Sequence, residues 1–176
     1  MGKLYMATTG PAPTTLATTV LTSGTGGTIK SYLQIKTGTA PIRICEWGVS
    51  FDGTVVDVPL KCELIDTGTV AATVTSYKTG DIYKYNDPNA ANASVSFNTS
   101  NASSTAFSGY NATAEGAITS GRVLDVAFVS PTGFYVHQFP LGREPEIKDG
   151  GSIVRVRVTS NVTTSVNAYA YCIWEE

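Results

Sequence analysis

The chain has 176 residues, 42% hydrophobic and 15% charged, with a formal net charge of -2. That length suits a single domain, and the near-neutral charge supplies no basic field for nucleic acid. No apolar run approaches the roughly 20 residues that span a bilayer, so no membrane segment is expected.

Residues 1–13 read as an extended N-terminal arm, because prolines and a glycine interrupt Thr8-Thr9-Gly10-Pro11-Ala12-Pro13. The opening Met1–Met6 lacks the apolar core of a signal peptide, and Met6 stands where a myristoylation signal needs Ser or Thr. Residues 14–176 read as one β-sandwich domain. Its first strand is Thr14–Thr22, with Leu16, Thr18 and Val20 on one face. Ser23-Gly24-Thr25-Gly26-Gly27 follows. A glycine-rich run cradles phosphate when a helix N-terminus comes next. Here Thr28–Thr37 instead alternates Ile29, Ser31, Leu33 and Ile35 as a strand.

Pro41–Asp66 reads as a β-hairpin at the centre of the core, turning at Asp52-Gly53 in the two-residue type that favours positive φ. That turn sets Phe51 opposite Thr54, Val49 opposite Val56 and Trp47 opposite Val58. Cys45, Trp47, Val49, Phe51, Val56, Val58, Leu60, Cys62 and Leu64 then share the core face. Ile44, Glu46, Ser50, Asp57, Lys61 and Glu63 face water. Pro59 lacks an N–H and marks the second strand as an edge or bulge. Cys45 and Cys62 lie one pair out of register, as small buried residues or as a disulfide. No Cys-x-x-Cys and no nearby histidine suggest a metal.

Val70–Tyr77 reads as a short strand. From Thr79 to Gly121 the chain turns rich in Asn, Ala, Ser, Thr and Gly, and reads as a long insertion-like excursion on the sandwich surface. Its Asn-x-Ser/Thr sequons at Asn92, Asn98, Asn101 and Asn111, and that at Asn161, read as compositional. Strand patterns return at Arg122–Ser130 and Phe134–Phe139, a second hairpin turning at Pro131-Thr132-Gly133. After the stiff run Pro140–Glu146 come strands Ile153–Ser160 and Val166–Trp174. The last is apolar on both faces, with Tyr169, Tyr171 and Ile173 opposite the core side, so a partner is expected to cover it. About eight to ten short strands with regular turns predict an all-β antiparallel sandwich, jelly-roll-like.

Chemistry is sparse. A Ser-His-Asp hydrolase needs His137, the single histidine, and no Gly-x-Ser-x-Gly elbow supplies a nucleophile. Glu46 and Asp57, diagonal on the hairpin beside Lys61, read as a surface charge cluster rather than a glycosidase pair. No enzyme activity and no cofactor are expected. Tyr83, Tyr85 and Tyr110, in or beside the excursion, are candidate stacking platforms for a sugar or receptor, the alternative reading.

Three stretches give the chain the look of a known family: the arm at Thr8–Pro13, the run Cys45-Glu46-Trp47-Gly48-Val49-Ser50-Phe51-Asp52-Gly53, and Phe139-Pro140-Leu141-Gly142-Arg143-Glu144-Pro145-Glu146. It resembles the head decoration, or cement, proteins of tailed bacteriophages. The resemblance implies a jelly-roll module, often trimeric, made in the host cytoplasm. It implies that this module binds the major capsid protein on the capsid exterior and staples neighbouring capsomers. Thr8, Thr9, Pro11 and Pro13 of the arm, with Phe139, Leu141, Arg143 and Glu144, are then candidate capsid or subunit contacts.

Overall fold

A computed structural model of the chain describes residues 2–11, 21–54, 57–119 and 121–176. Period-two alternation produces strands throughout, and no helix occurs among the described residues. The strands are β1 (Leu4–Thr8), β2 (Leu21–Thr22), β3 (Thr28–Lys36), β4 (Ile42–Asp52), β5 (Leu60–Asp66), β6 (Thr73–Ser76) and β7 (Tyr83–Lys84). They continue as β8 (Ser103–Ser104), β9 (Gly109–Ala114), β10 (Arg122–Val129), β11 (Phe134–Gln138), β12 (Glu146–Ile147), β13 (Ile153–Ser160) and β14 (Asn167–Glu175).

Two seven-stranded antiparallel sheets form. Sheet A runs β11-β4-β14-β1-β7, with β12 also on β4 and β2 also on β14; sheet B runs β10-β5-β13-β3-β9-β6-β8. Number β1, β3, β4, β5, β10, β11, β13 and β14 as first to eighth. Sheet A then reads first-eighth-third-sixth, and sheet B second-seventh-fourth-fifth. That order is a jelly roll, the predicted fold class. Trp47, Trp174, Tyr32, Leu33, Ile35, Ile42, Ile44, Leu60 and Leu64 are fully buried in the shared core. The three cysteines are free thiols, Cys62 and Cys172 buried and Cys45 half-buried.

The topology overturns both predicted hairpins. β4 and β5 lie in opposite sheets. Gly53 does not take positive φ. Its N–H donates to Pro131 O at 2.9 Å, and a Cβ there would stand 2.4 Å from that oxygen. The chain after Asp52 therefore crosses between sheets instead of folding back. Trp47 is buried opposite Cys172 and His137, whereas Val58 is 47% exposed on the crossing; Val56 lies outside the described residues. Pro59 precedes β5, which is an interior strand between β10 and β13. Ile44, assigned to water, is buried because Cys45 is the extra residue of a bulge: Glu46 faces Ile173 and Ile44 faces Trp174. β10 and β11 likewise turn where expected, with Gly133 N donating to Ser130 O, but sit in opposite sheets.

The arm is corrected over its first part: Leu4–Thr8 is a strand between β14 and β7, with Tyr5 and Ala7 in the core. Ala12, Pro13 and most of the predicted first strand, residues 14–20, lie outside the described residues; Leu21–Thr22 pairs with β14.

The excursion sits between the fourth and fifth principal strands. It adds β7 to sheet A and β8 and β9 to sheet B, and it lies over the outer face of sheet B. That face is polar yet buried. Gln34 donates to Phe107 O and accepts from Ala72 N. Arg155, fully buried, donates to Glu115 O at 2.8 Å and to Val70 O. Glu63 takes Arg157 and Lys61.

Candidate functional site

The reactive side chains are held in structural roles. A bulge at Leu124 turns Asp125 inward on β10. Its Oδ2 accepts from Trp47 Nε1 on β4 at 3.1 Å and from Tyr135 OH on β11 at 2.9 Å. His137 Nδ1 lies 2.6 Å from the same oxygen. This carboxylate therefore ties the edge of sheet B to sheet A. Desolvation, then the hydrogen bond to Asp125, pushes the Tyr135 phenol up to about 12. Burial pushes the Cys62 thiol up to about 12, and raises Cys45 to about 11 with Glu175 and Glu144 adding to the effect. Such thiols stay protonated at neutral pH. Glu46 and Asp57 are on separate elements with separate partners, Tyr171 OH for one and the Thr163 N–H and hydroxyl for the other.

The two outer faces differ. The excursion covers part of sheet B, and among the described residues no segment runs across the outer face of sheet A. Cross-strand register sets the outward rows of sheet A. One row is Gln138, Glu46, Ile173, Met6 and Tyr83; the next is Val136, Gly48, Tyr171 and Thr8; the third is Phe134, Ser50 and Tyr169. Glu46 is the one charged side chain in these rows. Tyr171 lies over Gly48, where a Cβ would stand 2.5 Å from its Cε1, and donates to Glu46 Oε1 at 2.5 Å. Tyr169 packs beside it at 6.5 Å between centroids. Tyr85, 56% exposed, extends the face through its N–H to Leu4 O. At the Leu4 end the face opens into a cleft of about 530 Å³ lined by Leu4, Cys45, Gln138, Phe139, Leu141 and Glu144, among others.

Of the predicted contacts, the structure gathers Phe139, Leu141 and Glu144 in that cleft. Leu141 is 97% exposed, Phe139 stacks on His137 at 4.4 Å, and Glu144 accepts the Gly142 N–H. Arg143 is exposed on the same turn, its N–H on Pro140 O. Thr8 and Thr9 are buried and present no contact surface; Pro11 is half-buried and Pro13 lies outside the described residues. Tyr83 and Tyr85 belong to the open face. Tyr110 does not: it is buried against Tyr77, 5.3 Å between centroids, where β9 pairs with β3. Reading the sequence for single residues missed Phe128, Phe134, Val126 and Val136, exposed apolar side chains on β10 and β11. Their signal was alternation with apolar residues on both faces of an edge strand.

No protein-family model matches the chain, and no curated protein matches it. Among solved structures, the crystal structure of the infectious bursal disease virus VP2 subviral particle aligns at 12% identity with a TM-score of 0.19. The alignment covers 98% of this chain and 41% of that one, and at that score bears on neither fold nor function.

Proposed function

We propose that this chain is a non-enzymatic structural protein of a virion, one that binds the outside of a capsid and stabilises contacts between capsomers. The observation that carries the reading is the open face of sheet A: an aromatic surface bearing Tyr83, Tyr85, Tyr169 and Tyr171, ending in the Phe139–Glu144 cleft. Aromatic surface with little charge is typical of the centre of protein interfaces. The polar groups that would serve chemistry are committed to holding the sheets together. The resemblance to decoration proteins supplies the partner, the major capsid protein. A subunit that binds the assembled shell and not its dissociated parts stabilises the shell by mass action, about 2.7 kcal/mol at a free concentration of about 100 Kd.

The test is co-sedimentation with purified capsids. Tyr85→Ala with Leu141→Asp removes exposed parts of the face and cleft without touching the core, so binding falls while the melting temperature holds. Wild-type occupancy by that double variant would overturn the reading. The clustering of Tyr83 and Tyr85 beside Tyr169 and Tyr171 favours a second reading, a platform stacking on sugar rings or a receptor. Saturable hits on a glycan array, without capsid binding, would put that reading first.

A further inference from the structure

We infer that copies of this chain associate head to tail, the β11 patch of one copy meeting the β10 patch of the next. β10 and β11 are the edge strands on the same side of the sandwich, joined by the Ser130–Gly133 turn, yet they belong to opposite sheets. Their outward side chains therefore emerge on opposite outer faces. On β11, Phe134 and Val136 stand in the rows of Ser50 and Gly48. On β10, Phe128, Val126 and Val123 stand opposite Lys61, Glu63 and Ile65. Phe128 is 72% exposed and Phe134 77%. Natural sheets guard such edges with charge or Pro. Here the central outward positions of both edges are apolar, and the exposed charge, Arg122, sits at the start of β10.

Area and charge both point to a second copy as the occupant. The two phenylalanines expose roughly 300 Å², and the three valines bring the apolar total to about 500 Å² per subunit. That is most of the apolar area in a specific interface of about 1,000 Å². If either patch met itself, like charges would face each other: Glu46 beside the β11 patch, or Lys61, Arg157 and Arg122 beside the β10 patch. Those three cations outnumber their partners Glu63 and Asp66. Head-to-tail contact brings the acidic flank to the basic one. Two different patches on one subunit make a heterologous contact, which closes into a ring when the rotation permits. Asp125, tying β10 to β11, fixes the angle between the patches.

Phe128→Asp and Phe134→Asp each remove one patch. Measured by light scattering after size exclusion, the wild-type chain runs as an oligomer, and each variant alone runs as a monomer of 18.5 kDa. Their equimolar mixture keeps one live patch on each chain and gives a heterodimer. Val126→Asp and Val136→Asp repeat the experiment if either phenylalanine variant melts below wild type. A monomeric wild-type chain at about 100 μM, self-association by either single variant, or a mixture that stays monomeric overturns the inference. Tyr85 and Leu141 lie outside both patches, so capsid binding is scored separately and fails or survives independently.

Discussion

Replacing Asp125 by Ala tests the clamp that joins the two sheets. The change strands two donors unequally, Trp47 and Tyr135, and takes the carboxylate from beside His137. Trp47 is fully buried, so its indole N–H, 3.1 Å from Oδ2, finds no water. An unsatisfied buried donor costs about 1–3 kcal/mol, and a hydrogen bond to a charged acceptor contributes about 1.5–3 kcal/mol. Tyr135 and His137 are partly exposed and turn to solvent, adding little. The expected loss is about 2–4 kcal/mol. At roughly 2–4 °C per kcal/mol for a domain of this size, the melting temperature falls by about 10 °C. Asp125→Asn keeps an acceptor oxygen and loses about half as much. In a Trp47→Phe background the donor is already gone, so the same Asp125→Ala change costs about 1–2 kcal/mol less. Calorimetry on the four proteins of this cycle measures the coupling. An Asp125→Ala melt within about 2 °C of wild type, or no coupling to Trp47, would refute the assignment.

Deleting residues 2–10 removes β1 from the interior of sheet A and takes Tyr5 and Ala7 from the core; cooperative unfolding by circular dichroism is then lost, whereas loss of a true arm would leave it intact. Glu63 loses solvation on burial, but hydrogen bonds from Lys61 and Arg157 outweigh that and hold its carboxyl below the usual range. A depressed carboxylate contributes stability that is present above about pH 4.3 and lost as pH falls through the folded value. The melting temperature of Glu63→Gln therefore falls less steeply than wild type between about pH 5 and pH 3. Gly48→Ala places a Cβ 2.5 Å from Tyr171 Cε1 and 2.9 Å from Tyr135 O; denaturant titration shows a loss of about 1–3 kcal/mol, and Tyr171→Ala in the same chain restores only the part owed to the ring.

Strand positions were legible because alternation is local. Ile153–Ser160 matches β13, and Arg122–Ser130 and Phe134–Phe139 match β10 and β11 to within a residue. Pairing was not legible. In a jelly roll successive strands cross between sheets, and a turn signal such as Asp52-Gly53 or Pro131-Thr132-Gly133 says where the chain bends, not into which sheet it goes. Single extra residues also broke the faces: Cys45 on β4, Tyr32 on β3 and Leu124 on β10 each shift the alternation by one. β1 was hidden because two inward residues, Tyr5 and Ala7, are too few to show a period beside the prolines that follow. In the site, the apolar outer side of Tyr169, Tyr171 and Ile173 was readable from β14 alone. Tyr110 and Tyr83 looked alike, since composition does not distinguish a tyrosine under the excursion from one on the open face.

The two outer faces make different demands on whatever covers them. Arg155, Glu63 and Gln34 on sheet B carry groups whose burial without partners would cost several kcal/mol each. Covering that face demands a segment that supplies matched acceptors and donors in fixed places. The excursion supplies the backbone of Phe107 and Glu115 and the Glu115 carboxylate, and the segment before β6 supplies the backbone of Val70 and Ala72. Such a cover works only when permanently attached and folded in register. Sheet A asks for nothing so specific. In the rows across β11, β4 and β14 that carry the tyrosines, the carboxylate, Glu46, is already bonded by Tyr171. A partner that buries this face gains apolar area without having to satisfy a stranded charge, so it can bind and leave while the fold stays intact. The same distinction separates the variants: changes under the excursion alter stability, and changes at exposed side chains of the open face such as Tyr85 alter binding.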